Sequence, residues 1–552
     1  MRILKLGSYI SLIAAAGLQL TAAPTITGIA NAASNIGFGP NGPIAQGAIF
    51  VIYGKGLGPA NLTVAPQPFQ TTSLSGTSVT VTAGTFTSNL PIYYTSDGQV
   101  AALLTSNAPT GPATFTVTYN GQASNAAGHG IAENNPGVFT VDSSGQGPGI
   151  VTYPDYSLVS SVKANPCGGP NTACGAANPG DTLILWATGL GPVSGDDASG
   201  SDLGKNMPNI PLALWLGGVR ATVTYQGRSG CCVGEDQIVF TVPDSVPTGC
   251  AVPLVLQVGN EVSNTTVLPV AKGSRDCTPL NPALANAGPK FLAGGPVTFA
   301  EITLAKNIND NATGYVDKLK YSFGTITGYP SGTQPFFLSW IDDQPVGTCV
   351  AYNGIDTAED SPPGTSFASA DAGSSLTVKG PNGTQVVPVS SGESAPILAA
   401  DASFFVPGDY TITGPGGADI GPFSATITFP PSPTLVSPAN NATVNRADGM
   451  TITWTGGDPK GDLRLTVFGA VNPAMGIGNQ AMCNAPAAPG TFTIPPYVML
   501  ALPTTQSAGF TIAPTATEVS FTATGLDAGI LGVQLDGTGH GFGAGNGGLK
   551  LQ

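Results

Sequence analysis

Hydrophobic and polar positions alternate with a period of two through most of this chain. From Thr114 to Tyr119, Phe115, Val117 and Tyr119 fall on one side, Thr114, Thr116 and Thr118 fall on the other, and Asn120-Gly121 supplies a hairpin turn. Ile238, Phe240 and Val242 make one inward row, and Leu254, Leu256 and Val258 make a second, followed by Gly259-Asn260. Farther on, Leu376 and Val378 lead through the turn Pro381-Asn382-Gly383 to Val386 and Val387. The segment Phe423 to Phe429 alternates Phe, Ala, Ile and Phe against Ser and Thr, and Ile452 with Trp454 precedes the row Leu463, Leu465, Val467. Successive side chains of a strand point to opposite faces, so this pattern predicts short antiparallel strands with one buried and one wet face. The expected fold class is all-β, a tandem array of immunoglobulin-like β-sandwich domains.

An internal repeat sharpens that expectation. QGAIFVIYGKGLGP (Gln46 to Pro59) matches PGDTLILWATGLGPVSG (Pro179 to Gly195), each an apolar strand running into GLGP. Downstream, Asp97 and Gln99 answer Asp236 and Gln237, Pro109-Thr110-Gly111 answers Pro247-Thr248-Gly249, and Ser124-Asn125 answers Ser263-Asn264. The spacing between the copies widens along the chain, which places insertions in loops between strands. A Pro-bearing linker near Cys277 to Pro289 ends this region, and FPPSPTLVSP (Phe429 to Pro438) breaks the pattern again. The predicted division is therefore residues 24–142 and 143–275 for two homologous sandwiches, 290–430 for a third, and 431–552 for a fourth, fibronectin-like one.

These residues carry a family resemblance. A strand ending in GLGP, then DQ with an apolar strand, P-x-G and a closing SN resembles the TIG-type immunoglobulin-like repeats of large secreted proteins of Acidobacteria (Solibacter-type). The matching residues are Gly54 to Pro59, Gly189 to Pro192, Asp236-Gln237, Thr248-Gly249 and Ser263-Asn264. The first copy departs from the pattern, with Asp97-Gly98-Gln99 in place of DQ. Ala370-Asp371-Ala372-Gly373, the stretch from Gly408 and TITWTGGDP from Thr451 resemble companion modules of such proteins. The resemblance implies a fold and export, and it implies no activity.

Composition narrows the function classes. The 552 residues allow three to five domains at about 100–200 residues each. Gly (76) and Pro (49) are abundant, yet 41% of the chain is hydrophobic, which fits many strands joined by many turns instead of disorder. Only 9% of residues are charged and the net charge is -14, which opposes binding to phosphate backbones and excludes nucleic acid as the expected partner. Arg2 and Lys5 precede an apolar run from Ile10 to Leu20 and the small residues Thr21, Ala22 and Ala23, so residues 1–23 read as a signal peptide. No later segment is long enough to span a bilayer, so the mature protein is expected outside the cell or on the envelope surface.

The eight cysteines fit an oxidising compartment and predict four disulfides. Cys167 and Cys174 bracket one short loop, and Cys349 and Cys483 lie far apart. The neighbours Cys231 and Cys232 are expected to bond to Cys250 and Cys277, because a ring closed between adjacent residues is geometrically demanding.

Candidate chemistry is sparse. The two histidines, His129 and His540, sit among glycines without a nucleophile motif nearby, and no catalytic residue is assigned. The carboxylate clusters Asp196, Asp197 and Asp202, Asp342 and Asp343, and Glu359 and Asp360 lie in turns, where such side chains bond the local backbone. Calcium is the one cofactor the pattern admits. Its candidate ligands are Asp196, Asp197 and Asp202, or Asn307, Asn309 and Asn311, although Lys318 stands where an EF-hand needs Glu. Trp186 and Trp454 read as core, whereas Trp215, Trp340, Tyr93 and Tyr94 are candidates for an exposed binding surface. The expectation is an exported structural or adhesion-type binding protein without catalytic activity, its partner an extracellular protein or glycan. The alternatives are a carbohydrate-binding accessory protein and, behind it, a secreted hydrolase.

Overall fold

The computed structural model describes residues 23–552 except 38–41, 162–166, 171, 279–286, 291–292, 309–314, 329–342, 356–363, 391–392, 473–476, 516, 536–537 and 541–547. The signal-peptide assignment, Asn309, Asn311, Trp340, Asp342, Glu359 and Asp360 lie outside the described residues. The chain is all-β, with short strands paired into sheets that pack face to face as tandem immunoglobulin-like sandwiches.

The first sandwich packs a sheet ordered Thr25–Asn31, Ile49–Lys55, Gln99–Leu103, Ile92–Thr95, Thr63–Val64 against one built on Ala127–Ala132, Gly111–Tyr119, Thr77–Ala83 and Phe86–Leu90. Phe50, Ile52, Val79, Val81, Phe115 and Val117 fill the space between them. The second sandwich repeats the plan. Thr182–Thr188, Asp236–Thr241 and Thr222–Arg228 are neighbours in one sheet, and Thr266–Val270, Gly249–Val258, Leu212–Leu216 and Val219–Arg220 follow one another in the other. Asn120 (φ 47°) and Gly121 (φ 80°) form the expected left-handed two-residue turn between Gly111–Tyr119 and Gln122–Ala123.

The Ser-Asn motif now has a physical reason. Ser124 Oγ accepts the Val117 amide, while Asn125 Oδ1 accepts the Ile26 amide (2.7 Å) and its Nδ2 donates to the Ile26 carbonyl (3.2 Å). Ser263 and Asn264 do the same to Leu256 and Val138, at 3.0, 2.8 and 2.9 Å. A side-chain amide thus acts as one extra ladder residue, satisfying both backbone groups of the sandwich's first strand and closing its open end.

Not every strand has a wet face. In Gly249–Val258, Val252, Leu254, Leu256 and Val258 enter the core of the second sandwich, and the intervening Ala251 and Val255 are also buried. They pack against Val350 and Met482 and against the cluster containing Ile452 and Leu465, which belong to a different sandwich. The unbroken apolar run AVPLV is the trace of this second interface.

The contiguous division at residue 430 needs correction. Ala528–Leu535 pairs in parallel with Val297–Ile308, from Phe299 opposite Ala528 to Lys306 opposite Leu535, and Phe521, Leu531 and Val533 join the core of Ile302, Phe323, Tyr410 and Phe429. Conversely, Cys349–Ile355 pairs with Ile477–Pro486 in the fourth sandwich. The chain crosses between these two cores repeatedly, because each sheet completes its hydrogen bonding with strands from beyond the sequence boundary. Pro433–Ser437, within the predicted linker, is an edge strand on Met450–Gly456, a place where proline is tolerated.

All eight cysteines are paired: Cys167–Cys174, Cys231–Cys232, Cys250–Cys277 and Cys349–Cys483. The expectation for Cys231 and Cys232 is overturned, for they bond to each other. Asp236–Thr241 carries the chain away from them before Cys250, at the start of its strand, meets Cys277. Cys349 and Cys483 face each other across two strands and close a 134-residue separation, about 5 kcal/mol in the chain-entropy account.

Candidate functional site

The densest cluster of ionisable side chains lies where the first two sandwiches meet. Strands Thr222–Arg228 and Asp236–Thr241 form a hairpin in which Arg228 stands opposite Asp236. Arg228 is wholly buried, as are Asp202 and Asp236, and Asp197 is 1% exposed. Arg228 Nη1 donates to Asp236 Oδ1, Nη2 donates to the Gly191 carbonyl at 2.7 Å, and Nε lies 3.4 Å from Asp202 Oδ2. Asp236 Oδ2 accepts the Leu190 amide at 2.8 Å, which ties the knot to the second GLGP turn and explains the aspartate of the DQ pair. In the first copy the matching Leu57 amide bonds the Asp97 carbonyl instead.

The first sandwich closes the knot from the other side. The Ser106 amide donates to Asp197 Oδ2, and Ser106 Oγ accepts the Val193 amide at 3.0 Å. Thr188 Oγ1 accepts the Ile49 amide at 2.9 Å and donates to the Gly234 carbonyl at 2.7 Å, so one hydroxyl bridges both sandwiches. Gly47 (φ +73°) backs the guanidinium, and a β-carbon there would stand 2.0 Å from Arg228 Nη2. Tyr93, stacked on Phe69 at 4.1 Å, donates its hydroxyl to the Val233 carbonyl.

Electrostatics follow from this closure. Burial pulls the Arg228 guanidinium down, but Asp236, with Asp197 and Asp202, holds its pKa above the ordinary value, so the cation is secure. Burial raises the Asp236 carboxyl against the pull of Arg228. Burial also raises Asp202, and Asp197 adds to it. Three carboxylates surround one guanidinium, and Asp202 Oδ1 and Asp197 Oδ1 have no hydrogen-bond partner. A raised Asp202 is the electrostatic answer to that excess of negative charge.

Beside the knot, Glu235 is pushed up to about 7 by burial, with Asp236 adding to it and the Ser229 hydroxyl opposing it. Its folded pKa stands above the unfolded value of 4.5, so its contribution is full below pH 4.5 and lost as pH rises to 7, about 3 kcal/mol in all. The titratable groups that interact with it are Asp236 and Tyr93. Glu235→Gln is expected to match the wild type at pH 4 and exceed it by up to about 3 kcal/mol at pH 8, read by chemical denaturation. An unchanged difference between the two proteins from pH 4 to 8 would remove Glu235 from the account.

The other sequence candidates separate. Asp196 is exposed and caps a short 3-10 turn by accepting the Ala198 amide at 3.1 Å. Of the other two calcium candidates in this turn, Asp202 lies against Arg228 and Asp197 acts on the same guanidinium electrostatically. Among the described residues no group of three or more His, Cys, Asp or Glu side chains is arranged to hold a metal ion. Asn307 falls in Val297–Ile308, opposite Val316. His129, with a pKa lowered by burial, hydrogen-bonds the Gly42 carbonyl at 2.8 Å, and His540 is paired through its backbone with Phe510. Asp343 is buried.

Aromatic positions also sort themselves. Trp454 is core, its Nε1 donating to the Ala487 carbonyl at 3.0 Å. Trp186 is not core but half-buried on the outer face, because Leu183, Leu185 and Ala187 take the inward positions of its strand. Tyr156, 51% exposed, lies beside it with ring centroids 6.2 Å apart. Trp215 is committed to the contact with the fourth sandwich, stacked on Tyr497 at 4.8 Å, and Tyr93 to the junction just described. Tyr94 donates to Gln99 on the surface. A groove of about 360 Å³ runs beneath the second GLGP turn, between Glu133 and Asn134 on one side and Lys205 to Pro211 on the other. Its walls are proline, Met207 and Ile210, and Lys205 is held by Ser194.

No family model matches the chain, and no curated protein does. Among solved structures it is similar to domains 4–9 of the surface layer protein SbsC, at 13% identity over 92% of this chain and 65% of that one, with a TM-score of 0.17. It is also similar to SGBP-B from a complex xyloglucan utilization locus in Bacteroides uniformis (9% identity, 86% and 97% covered, TM-score 0.15). A third likeness is to the chicken CNTN1 FN1-FN3 domains (8% identity, 74% and 99% covered, TM-score 0.13). The chain spans less than two thirds of the surface-layer fragment. Superposition this poor transfers no residue role and no activity.

Proposed function

We propose that the chain is an exported scaffold of the cell surface or extracellular space, an adhesion-type structural protein without catalytic activity that holds its sandwiches as one body. The observation that carries this reading is the construction of the junctions. A fully buried arginine and its carboxylates in the second sandwich are covered by the first through Gly47 and the Ser106 amide on Asp197, and buried Val255, Val262 and the Trp215–Tyr497 stack join the second to the fourth. A freely jointed string would leave these groups solvated, since inter-domain contacts are small and polar by default. Four disulfides support an oxidising destination, in line with the signal-like N-terminus. The shared strand order and the twice-used Ser-Asn clamp support a TIG-type assignment for the first two sandwiches.

A carbohydrate-binding accessory role is the second reading, and the Tyr156–Trp186 pair favours it. A glycan array and an envelope pull-down with the mature protein separate the two. The scaffold reading expects a recovered envelope partner and no retained glycan. Glycan binding lost in Trp186→Ala and Tyr156→Ala would replace it with the second.

A further inference from the structure

The seven residues between Arg228 and Asp236 contain a cross-link that the scaffold reading leaves without a role. Cys231 is exposed and its bonded neighbour Cys232 is 3% exposed. On one side of the pair is Arg228, the centre of the buried knot. On the other are Val233 and Gly234, the contact with the first sandwich. The Val233 amide donates to the Pro68 carbonyl at 3.3 Å, its carbonyl accepts from Tyr93, and the Gly234 carbonyl accepts from Thr188. Fit there is close, since a β-carbon on Gly234 would stand 2.3 Å from Leu103 Cδ1. Ser229 Oγ accepts both the Cys231 amide (3.4 Å) and the Cys232 amide (3.3 Å), and the Glu235 amide donates to the Cys232 carbonyl at 3.2 Å. The bond between neighbouring residues therefore fixes the backbone of a loop through which the second sandwich meets the first.

We propose that the Cys231–Cys232 bond is a reducible latch on the junction of the first two sandwiches, opened by a dithiol. A dithiol thiolate attacks the sulfur of exposed Cys231, the S–S bond breaks, and Cys232 leaves as a thiolate that takes up a proton. The second dithiol thiol then attacks the mixed disulfide, releasing Cys231 as a thiol. The dithiol is oxidised to its disulfide, and the two electrons and two protons reside on the cysteines. Opening the ring returns rotational freedom to the loop whenever it is undocked, which shifts the junction towards separation. Access sets this bond apart from Cys349–Cys483, whose cysteines are 2% and 0% exposed. The inference depends on the junction being tight, as the proposed scaffold is, but it is tested by a separate readout.

The test is hydrogen–deuterium exchange of the folded mature protein before and after mild treatment with dithiothreitol, with thiol alkylation and mass spectrometry to identify which cysteines opened. A Cys167→Ser/Cys174→Ser background removes the other loop disulfide. The expected result is alkylation of Cys231 and Cys232 and at least tenfold faster exchange at Ile49, Ser106, Val233 and Gly234, with the strands around Cys349 and Cys483 unchanged. Cys231→Ser/Cys232→Ser is expected to exchange at the fast rate without reductant and to ignore it. Junction exchange that stays slow with both cysteines alkylated overturns the latch, as does a pair that remains unalkylated in a folded protein whose Cys250–Cys277 bond has opened. Neither of those results would by itself undo the scaffold, whose failure would show as fast junction exchange before any reductant is added.

Discussion

Replacing Arg228 by methionine is expected to destabilise the protein by about 3–5 kcal/mol and to open the junction of the first two sandwiches. The direction follows from what remains. Asp236 and Asp202 are fully buried, and Arg228 is their only paired cation among the described residues. Without it a carboxylate must ionise in a site that burial already makes hostile, or take up a proton, or draw water in by separating the sandwiches. The Gly191 carbonyl loses its donor at the same time. Arg228→Met/Asp236→Asn is expected to recover part of the loss, since an amide oxygen still accepts the Leu190 amide and one fewer buried carboxylate is left without its cation. Denaturant unfolding of the two variants measures both effects. A single variant within about 0.5 kcal/mol of wild type would show the knot to be energetically idle.

A fragment of residues 290–430, the third domain as the sequence divides it, is expected not to fold. Val297–Ile308 would lose its parallel partner Ala528–Leu535, an interior strand of its sheet, and the core would lose Phe521, Leu531 and Val533. Three buried side chains at about 1.5–3 kcal/mol each already approach the whole margin of an ordinary domain, roughly 5–15 kcal/mol. The exposed strand would also present unpaired backbone groups and invite aggregation. Near-ultraviolet dichroism and amide exchange of the fragment decide the matter. A cooperatively folded 290–430 would mean that the strand from the C-terminal segment is dispensable.

The contrast between strands and partners explains how much could be read in advance. Alternation at Phe115 and Val117, at Leu463, Leu465 and Val467, and at Phe423 to Phe429 identifies strands and their inward faces, because a period of two is a local property of the chain. Pairing between Val297–Ile308 and Ala528–Leu535 is set by long-range packing, and nothing local in either segment names the other. Trp186 reads as core for a related reason: the run TLILWAT has both faces largely covered, so hydrophobicity alone does not say which is inner. The aspartates of the knot were visible as a polar turn, and a turn aspartate in solvent has the same sequence as one buried against an arginine. Arg228 itself carried no signal beyond its place at the end of an alternating strand. Ring geometry alone argues against a Cys231–Cys232 bond, whereas the strand Asp236–Thr241, which carries the chain away before Cys250 begins the following strand, decides the pairing.

The central claim is that buried junctions hold the sandwiches in one arrangement. Spin labels at the exposed positions Thr87, Thr222 and Thr426, one on each of the first three sandwiches, test it through pairwise distance distributions measured by electron–electron double resonance. The account predicts a single narrow distance for Thr87 to Thr222, broadened in Arg228→Met. A broad Thr87 to Thr222 distribution in the wild-type protein, unchanged by that substitution, would contradict it.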